Sequence, residues 1–384
     1  MEKSMKIKVI LISTPFLPVS SELKYGGSER IVYLLDKGLS EKNICAGVVA
    51  PVSSRPVSQL YPTVHQEVGV ATILDKSQQE DWEGLYLRFE HISLAIQYAN
   101  NLPGIDLVHL HDDNVLIFDT LISRPTLLTL HGDIDGFWDL ALNPSLKNCQ
   151  SKLVAISQSQ KKIFESRGFK ISYVVYNGVD ESLFELADKK FNYLLSLGAI
   201  MPVKGQKNAI EVALNSGHDL ILAGNIGDKT YFKEKIKPKI THDLVEAEDK
   251  LAAYLGLPAS SQPKIVYVGP VSDGQKKKLY AGAKVFLMPI DWDEPFGLVM
   301  VEAMMSGTPV IAFGRGSVPE IINPNQTGYI VNNVEEMIKA LAIIDRLDVK
   351  KCRQIAIKKF GKDQMVNNYI KVYKDILEKA KNVR

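Results

Sequence analysis

The sequence is poor in cysteine and nearly balanced in charge. Its three cysteines, Cys45, Cys149 and Cys352, are far apart and form no Cys-x-x-Cys pair, which argues against a zinc site and a disulfide framework. The net charge is only +2, and we expect no nucleic-acid partner. No apolar run approaches the length of a membrane span, and residues 9–12 predict a first strand rather than a signal segment. These absences favour a protein of the reducing cytoplasm.

The length and patterning indicate two α/β domains. At 384 residues the chain exceeds what a single hydrophobic core usually serves. Strand patterns alternate with helix patterns in both halves, which predicts parallel, doubly wound sheets. Apolar periodicity predicts a long helix over residues 82–101. A charged helix is expected over residues 241–255, and the stretch 185–191 is the expected linker. Basic residues accumulate after Val349; we expect a solvated helical face there and keep contact with an anionic membrane as an alternative.

The stretch from Glu294 to Glu320 carries the strongest functional signal in the sequence. An apolar run at 285–289 predicts a buried strand, and a helix pattern over 296–307 follows it. Glu294 therefore stands at a strand end, beside a turn whose backbone N–H groups point out of a helix N-terminus. Anionic ligands bind most readily at that place in an open α/β sheet. Glu302, about two turns further on, can reach the same ligand; alternatively it is an exposed residue of an amphipathic helix.

Two further places in the first half are candidates for ligand contact. Gly26 and Gly27 precede a helix pattern that extends to Leu39, and glycines let the backbone approach a ligand closely. Ser28 is the predicted N-cap of that helix, although turns also use glycine pairs. His131 follows a buried strand and emerges at its carboxyl edge, where a lone histidine is usually structural or merely exposed.

A short strand over residues 106–111 places His109 and His111 on one face, just before Asp112 and Asp113. This cluster looks like a metal site, but a helix pattern follows at once. We predict no metal here and favour His111 over His109 as the residue near a ligand. Two Asp-x-Asp patterns, at residues 133–135 and 291–293, keep metal-dependent catalysis as an alternative, although such patterns are common by chance.

The block from Glu294 to Glu320 resembles the nucleotide-sugar-binding signature of the retaining glycosyltransferases of family 4. That family has the GT-B fold, in which two Rossmann-like domains face each other across a cleft. The resemblance implies an acceptor-side domain over residues 1–187, joined by a returning C-terminal helix at 365–384. It implies a donor-binding domain over residues 188–364. GT-B enzymes act without a metal, so no cofactor is expected beyond the nucleotide sugar as co-substrate.

The resemblance also assigns roles to particular residues. Glu294 would bind the hydroxyls of the donor sugar and Glu302 those of the ribose. The His131 side chain would lie near the sugar, and the diphosphate would face Lys204. Backbone groups would contact the donor at the following residues: Gly26, Gly27, Phe296, Gly297 and Leu298.

One position departs from the family pattern Gly-Arg-x-x-x-x-Lys-Gly. This chain has Ala199 where the family has arginine, although Lys204 is present. Loss of one cation from a phosphate site removes transition-state stabilisation unless another cation replaces it. Arg30 and Arg315 are the two candidates for that replacement.

The sequence therefore predicts a cytoplasmic, retaining, metal-independent glycosyltransferase that moves a hexose from a nucleoside diphosphate sugar. UDP-glucose is the favoured donor, and guanosine with mannose stays open. The acceptor is a small molecule, a glycan or a lipid-linked molecule. The alternatives are a nucleotide-sugar epimerase or a phosphorylase of the same fold, and a nucleotide-sugar-binding protein with little turnover.

Overall fold

The computed structural model describes residues 7–23, 26–65, 67, 82–134, 149–187, 190–245 and 263–382. The chain divides into two compact units. Unit 1 comprises Met1–Gly178 and Lys362–Arg384, and unit 2 comprises Val179–Gly361. The unit boundaries thus fall after residues 178 and 361, whereas the sequence analysis placed them after residues 187 and 364.

Unit 1 is built on a seven-stranded sheet in which every neighbouring pair is parallel, with the order β3-β2-β1-β4-β5-β6-β7. Parallel sheets are covered on both faces, so their strands are short apolar runs. The strands are β1 (Val9–Ile12), β2 (Cys45–Ala50), β3 (Leu60–Pro62), β4 (Leu107–Leu110), β5 (Thr126–Thr129), β6 (Lys152–Ala155) and β7 (Ile171–Val174).

The helices of unit 1 include one that comes from the far end of the chain. Among the described residues they are α1 (Gly27–Glu41), α2 (Trp82–Asn101), a 3-10 helix (Asp113–Leu121), α3 (Gln158–Ser166) and α11 (Lys362–Lys381). The 3.6-residue periodicity predicted α2 with its bounds, which the structure confirms. Helix α11 packs on α1 so closely that a Cβ at Gly38 would lie 2.5 Å from Val366 Cγ2.

Unit 2 repeats the architecture with a second all-parallel sheet, in the order β10-β11-β9-β8-β12-β13-β14. Its strands are β8 (Tyr193–Leu197), β9 (Asp219–Ala223), β10 (His242–Asp243), β11 (Ile265–Tyr267), β12 (Val285–Met288), β13 (Val310–Phe313) and β14 (Gly328–Val331). The two sheets confirm the predicted fold class.

The described helices of unit 2 connect these strands. The α-helices are α4 (Gln206–Ser216), α5 (Lys229–Tyr231), α6 (Asp273–Gly282), α7 (Leu298–Met305), α8 (Val318–Ile321), α9 (Val334–Leu341) and α10 (Val349–Phe360). A π-helical turn (Phe232–Ile236) follows α5, and 3-10 turns occur at Glu181–Leu183, Pro202–Lys204, Lys237–Lys239 and Ile344–Arg346.

The prediction of a charged helix over residues 241–255 is wrong at its N-terminal end. His242 and Asp243 form the edge strand β10 beside β11, because backbone pairing to an existing sheet outweighs local helix preference. Residues 246–262 lie outside the described part of the chain. No helix of the described residues combines the length and the apolar character needed to cross a bilayer.

Candidate active site

The candidate site of unit 2 lies where the strand order reverses. Strand β8 pairs with β9 on one side and β12 on the other, and ligands of open α/β sheets bind beyond the carboxyl ends of the strands at such a point. The loops after β8 and β12 meet there, because the Asp291 N–H donates to the Val203 carbonyl at 2.8 Å. Gly205, with φ 72°, makes this approach possible, since a Cβ there would lie 1.8 Å from the Pro289 carbonyl oxygen.

Lys204 and Glu294 meet at this junction. Lys204 Nζ lies 2.8 Å from Glu294 Oε2 and 4.3 Å from the centroid of a Trp292 ring. Trp292 Nε1 donates to the same carboxylate oxygen at 3.2 Å. The Lys204 side chain is 25% exposed and that of Glu294 is 12% exposed. An ammonium and a carboxylate, held side by side and still accessible, can contact a phosphate oxygen and a sugar hydroxyl.

The N-terminus of α7 opens beside this pair. Gly297 is its N-cap, with φ 80° and ψ 61°, and no side chain caps the helix. The Met300 N–H donates to the Gly297 carbonyl at 3.0 Å, which leaves the N–H groups of Leu298 and Val299 at the start of the helix, where the helix dipole favours an anion. Ser317 supports the turn, because its N–H donates to the Glu294 carbonyl at 2.9 Å and its hydroxyl to the Phe296 carbonyl at 2.8 Å. The Phe296 side chain is buried.

Glu302 is buried, with 4% of its surface exposed, so the alternative of an exposed helical residue is wrong. Its Oε1 accepts from Lys276 Nζ at 2.8 Å, and its Oε2 accepts from the Tyr280 hydroxyl at 3.1 Å. Lys276 also lies 3.5 Å from Asp273. Each carboxylate oxygen has a second lone pair, so Glu302 can still accept hydrogen bonds from a ligand hydroxyl.

The glycine pair of unit 1 begins α1. Gly26 is the N-cap, with φ 112°, and Gly27 is the first helical residue. The prediction of Ser28 as N-cap is wrong, because no side chain caps α1 and the Ser28 hydroxyl donates to the Glu29 carboxylate. Glu29 is buried in the first turn and also accepts from the Thr14 hydroxyl. A carboxylate already complements the helix dipole at this end, and it disfavours a phosphate in direct contact with the first turn.

His131 follows β5 and is paired with His111, which follows β4. The distance between His111 Nδ1 and His131 Nε2 is 2.8 Å. His111 is buried, whereas His131 keeps part of its surface exposed. Burial lowers the pKa of His111 well below its usual range, and desolvation lowers the pKa of His131 to about 4. Desolvation thus favours the neutral form of both rings.

His109 is engaged in a separate buried network. Its Nδ1 lies 2.8 Å from the Tyr373 hydroxyl, and its Nε2 lies 2.8 Å from Thr129 Oγ1, which is 2.9 Å from the Tyr369 hydroxyl. Both tyrosines belong to α11, so His109 ties the C-terminal helix to the sheet. The structure places His111, and not His109, beside His131.

The acidic residues considered for a metal have other partners. Asp291 accepts from Arg315 Nη2 at 3.2 Å, and Asp293 accepts from a backbone N–H at 3.1 Å. Asp133 accepts from a neighbouring backbone N–H, and Asp135 lies outside the described residues. Over the ranges that the structure describes, no group of three or more His, Cys, Asp or Glu side chains is arranged to hold a metal ion.

The two candidate substitutes for the missing arginine lie in different units. The Ala199 carbonyl accepts from the buried Gln206 side chain at 2.8 Å, which holds the loop after β8 in place. Arg315 belongs to unit 2, and its partner in the ion pair is the exposed Asp291. Arg30 belongs to unit 1 and donates to a backbone carbonyl. Only Arg315 of these two shares a unit with the junction after β8 and β12.

Two family profiles match adjoining parts of the chain. The profile for glycosyl transferases of group 1 matches residues 180–359, and the profile for glycosyltransferase family 4 matches residues 25–183. This chain belongs to glycosyltransferase family 4. The resemblance carried by the block from Glu294 to Glu320 is thereby confirmed. The chain also has the two Rossmann-like units of the GT-B fold.

Two curated relatives match this chain over part of their length. A 41.2 kDa protein of the cps region of Klebsiella pneumoniae, described as uncharacterised, is 33% identical over 166 residues, which are 41% of this chain and 42% of that protein. An uncharacterised glycosyltransferase of Methanocaldococcus jannaschii is 25% identical over 248 residues, which are 60% of this chain and 61% of that one. The matches thus span less than two thirds of these relatives.

Solved structures share the fold over nearly the whole chain. HepE of Anabaena, crystallised with UDP and glucose, superimposes with a TM-score of 0.66 at 19% identity, covering 96% of this family 4 chain and 100% of HepE. HepE has also been crystallised with UDP-glucose. At this level of identity the likeness establishes the GT-B fold alone.

Sequence reasoning missed three residues of the unit 2 site: Lys276, Tyr280 and Trp292. Lys276 stands in a run of three lysines that looks like a solvated helix face. No spacing rule connects it to Glu302, which is 26 residues further on. One signal was available, because Lys276 and Tyr280 are four residues apart in a predicted helix and hence on one face.

Proposed function

We propose that this chain is a retaining glycosyltransferase that moves a hexose, with UDP-glucose the favoured donor, to an acceptor hydroxyl without a metal ion. The observation that carries the proposal is the pairing of Lys204 with Glu294 beside the uncapped N-terminus of α7. A nucleoside diphosphate sugar combines the groups that such a site recognises, namely an anionic diphosphate and a ring of hydroxyls. The binding of UDP and glucose by HepE adds support.

The geometry of unit 2 supports a division of roles. Lys204 neutralises the diphosphate, and the free N–H groups at the start of α7 add donors to it. Glu294 accepts hydrogen bonds from sugar hydroxyls, and Trp292 orients that carboxylate through its indole N–H. Glu302, fixed by Lys276, accepts from the ribose hydroxyls.

For the reaction we propose a displacement on one face of the sugar, as the resemblance to retaining glycosyltransferases implies. The bond between the anomeric carbon and the diphosphate oxygen breaks, and the departing oxygen receives the proton of the acceptor hydroxyl. The acceptor oxygen then bonds to the anomeric carbon on the same face, which retains the configuration. Such a step needs charge stabilisation around the leaving diphosphate and exclusion of water more than it needs a nucleophilic side chain.

A panel of UDP- and GDP-sugars tests the proposal. Thermal shift would identify the donor that stabilises the protein, because a ligand that binds only the folded state raises the midpoint. Chromatography with the same donor would then follow the release of free nucleoside diphosphate over hours. We expect stabilisation by UDP-glucose and slow UDP release. Conversion of the sugar without UDP release would instead indicate an epimerase, and release that needs inorganic phosphate would indicate a phosphorylase. No stabilisation by any of these sugars would contradict the proposal.

The cytoplasmic location and the choice of acceptor remain predictions. Fractionation of cells that express the chain would place it in the soluble fraction or on membranes. If salt washing removes it from membranes, contact with anionic lipid is the explanation.

A further inference from the structure

His111 and His131 share a single hydrogen bond in unit 1. They follow the neighbouring strands β4 and β5, and His111 Nδ1 lies 2.8 Å from His131 Nε2. Desolvation favours the neutral form of both rings. Two neutral imidazoles can share a hydrogen bond only if one nitrogen carries the proton and the other offers a lone pair. The geometry therefore leaves two arrangements of protons.

The second nitrogen of His111 distinguishes the two arrangements. His111 Nε2 is buried and has no hydrogen-bond partner in the described part of the chain. If His131 donated, the His111 proton would sit on Nε2 as a buried N–H without an acceptor. If His111 donates from Nδ1, its Nε2 carries only a lone pair that accepts no hydrogen bond. Orphaned buried N–H groups are rarer than under-used acceptors, so the second arrangement is favoured.

The neighbours of His111 do not reverse this choice. His109 stacks on it with ring centroids 4.1 Å apart, but both His109 nitrogens are bonded to the hydroxyls of Tyr373 and Thr129. Asp112 accepts from a backbone N–H two residues further on, and no hydrogen bond joins its carboxylate to His111 within the described residues. No carboxylate of the described residues therefore bonds either ring of the pair.

With Nε2 of His131 as the acceptor, its proton lies on Nδ1. This nitrogen has no hydrogen-bond partner among the described residues, and it is not one of the buried unpartnered atoms. His131 is partly exposed at the carboxyl edge of the sheet. We propose that His111 is a positioning residue that holds His131 in its Nδ1–H tautomer. His131 then presents an N–H donor, instead of a basic nitrogen, to a ligand oxygen at this edge of the sheet. The identity of that ligand rests on the proposed function, whereas the tautomer does not.

Long-range 1H–15N correlation spectra of protein labelled at histidine test the tautomer directly. The spectra distinguish a protonated ring nitrogen from one with a lone pair, and the His131→Asn variant identifies the His131 signals. We expect Nδ1 of His131 to carry the proton and Nε2 to be unprotonated at pH 7. A spectrum with the proton on Nε2 would overturn the proposal, whatever the protein's activity.

Three variants separate positioning from a merely structural role. His111→Asn keeps an N–H donor close to the place of Nδ1, and His111→Leu removes it. Thr129→Val disrupts the neighbouring network of His109 and serves as the matched control. We expect His111→Leu to mix the His131 tautomers and to lower kcat about tenfold or more, because a misdirected donor loses transition-state stabilisation. We expect His111→Asn and Thr129→Val to keep the tautomer, with kcat within about threefold of the parent. Equal effects of His111→Leu and His111→Asn on both readouts would overturn the positioning role.

Addition of UDP and, separately, of UDP-glucose identifies the ligand oxygen. A shift of the His131 Nδ1–H signal with UDP alone indicates the diphosphate, and a shift only with UDP-glucose indicates the sugar. No shift with either compound, in a protein that both compounds stabilise, would overturn the assignment of a ligand to His131. If neither compound binds at all, the proposed function fails, while the tautomer stands on its own spectrum.

Discussion

Lys204 has three functions in one small space: it pairs with Glu294, covers Trp292 and is the cation assigned to the diphosphate. Because Ala199 replaces the usual arginine, the diphosphate should depend heavily on this lysine. Removal of a charged partner from such a site costs about 2–5 kcal/mol, and about 1.4 kcal/mol corresponds to a tenfold change in rate. We therefore expect Lys204→Ala to lower kcat/KM by roughly two to four powers of ten in a donor-turnover assay.

Lys207 supplies the matched control for that variant. It lies three residues further on and its side chain is exposed, so Lys207→Ala should keep the parental rate. An active Lys204→Ala would show that another cation holds the phosphates. In that event, a severe loss in either Arg315→Ala or Arg30→Ala would identify it.

Buried Glu302 and partly buried Lys276 form an ion pair whose structural and binding roles can be separated. Glu302→Gln leaves Lys276 with only the more distant Asp273 as a counter-charge, which should lower the free energy of unfolding by about 1–3 kcal/mol. It should also weaken nucleotide binding, since a ribose contact present throughout the reaction acts on KM more than on kcat. Denaturant unfolding and UDP titration would measure the two effects.

The double variant Glu302→Gln/Lys276→Met removes both charges of the ion pair between Lys276 and Glu302. We expect it to recover most of the lost stability, because a buried ion pair can often be replaced by uncharged groups of similar volume. Nucleotide affinity should stay low, because the carboxylate is still missing. Recovery of parental affinity in the double variant would rule out Glu302 as a ribose ligand.

At the scale of elements, helix α11 depends on a glycine in α1. Gly38 is helical and buried, and a Cβ there would lie 2.5 Å from Val366 Cγ2. Gly38→Ala should therefore destabilise the protein by about 1–3 kcal/mol through overpacking, against the usual gain of about 0.5–1 kcal/mol for alanine in a helix. In a Val366→Ala background the same change should be neutral or stabilising.

Gly274 in α6 is the control for this double-mutant cycle, because the nearest atom to its would-be Cβ is 4.0 Å away. Gly274→Ala should be neutral or stabilising in urea unfolding. Additive effects of Gly38→Ala and Val366→Ala would show that the two helices do not meet at these residues.

At the scale of the whole molecule, the proposed chemistry does not use a metal ion. Lys204 and the N-terminus of α7 provide the positive charge that a metal would otherwise bring to a diphosphate. We expect UDP release to be the same after dialysis against EDTA as before it. Loss of turnover in EDTA, with recovery in Mn²⁺ or Mg²⁺ but not in Ca²⁺, would contradict metal independence.

Much of the architecture could be predicted from the sequence alone. The alternation of strand and helix patterns predicted two α/β domains, and the bounds of α2 follow from its apolar periodicity, because both patterns are local. The edge strand β10 and the cap of α1 were missed for the opposite reason. His242 joins a sheet whose other strands are distant in sequence. The Ser28 hydroxyl donates to the buried Glu29 carboxylate instead of capping the helix.

The sequence by itself determined the identity of the family, because Glu294, Gly297 and Glu302 of the signature block are close along one strand-turn-helix segment. Only the tertiary structure showed which side chains pair with Glu294 and Glu302. Lys204 meets Glu294 across 90 residues, and Lys276 meets Glu302 across 26. These pairs form because parallel strands bring the ends of separate β/α units to one edge of the sheet, which no local pattern encodes. The same arrangement of parallel strands brings His111 next to His131. The hydrogen bond between them then selects the ring nitrogen of His131 that carries the proton.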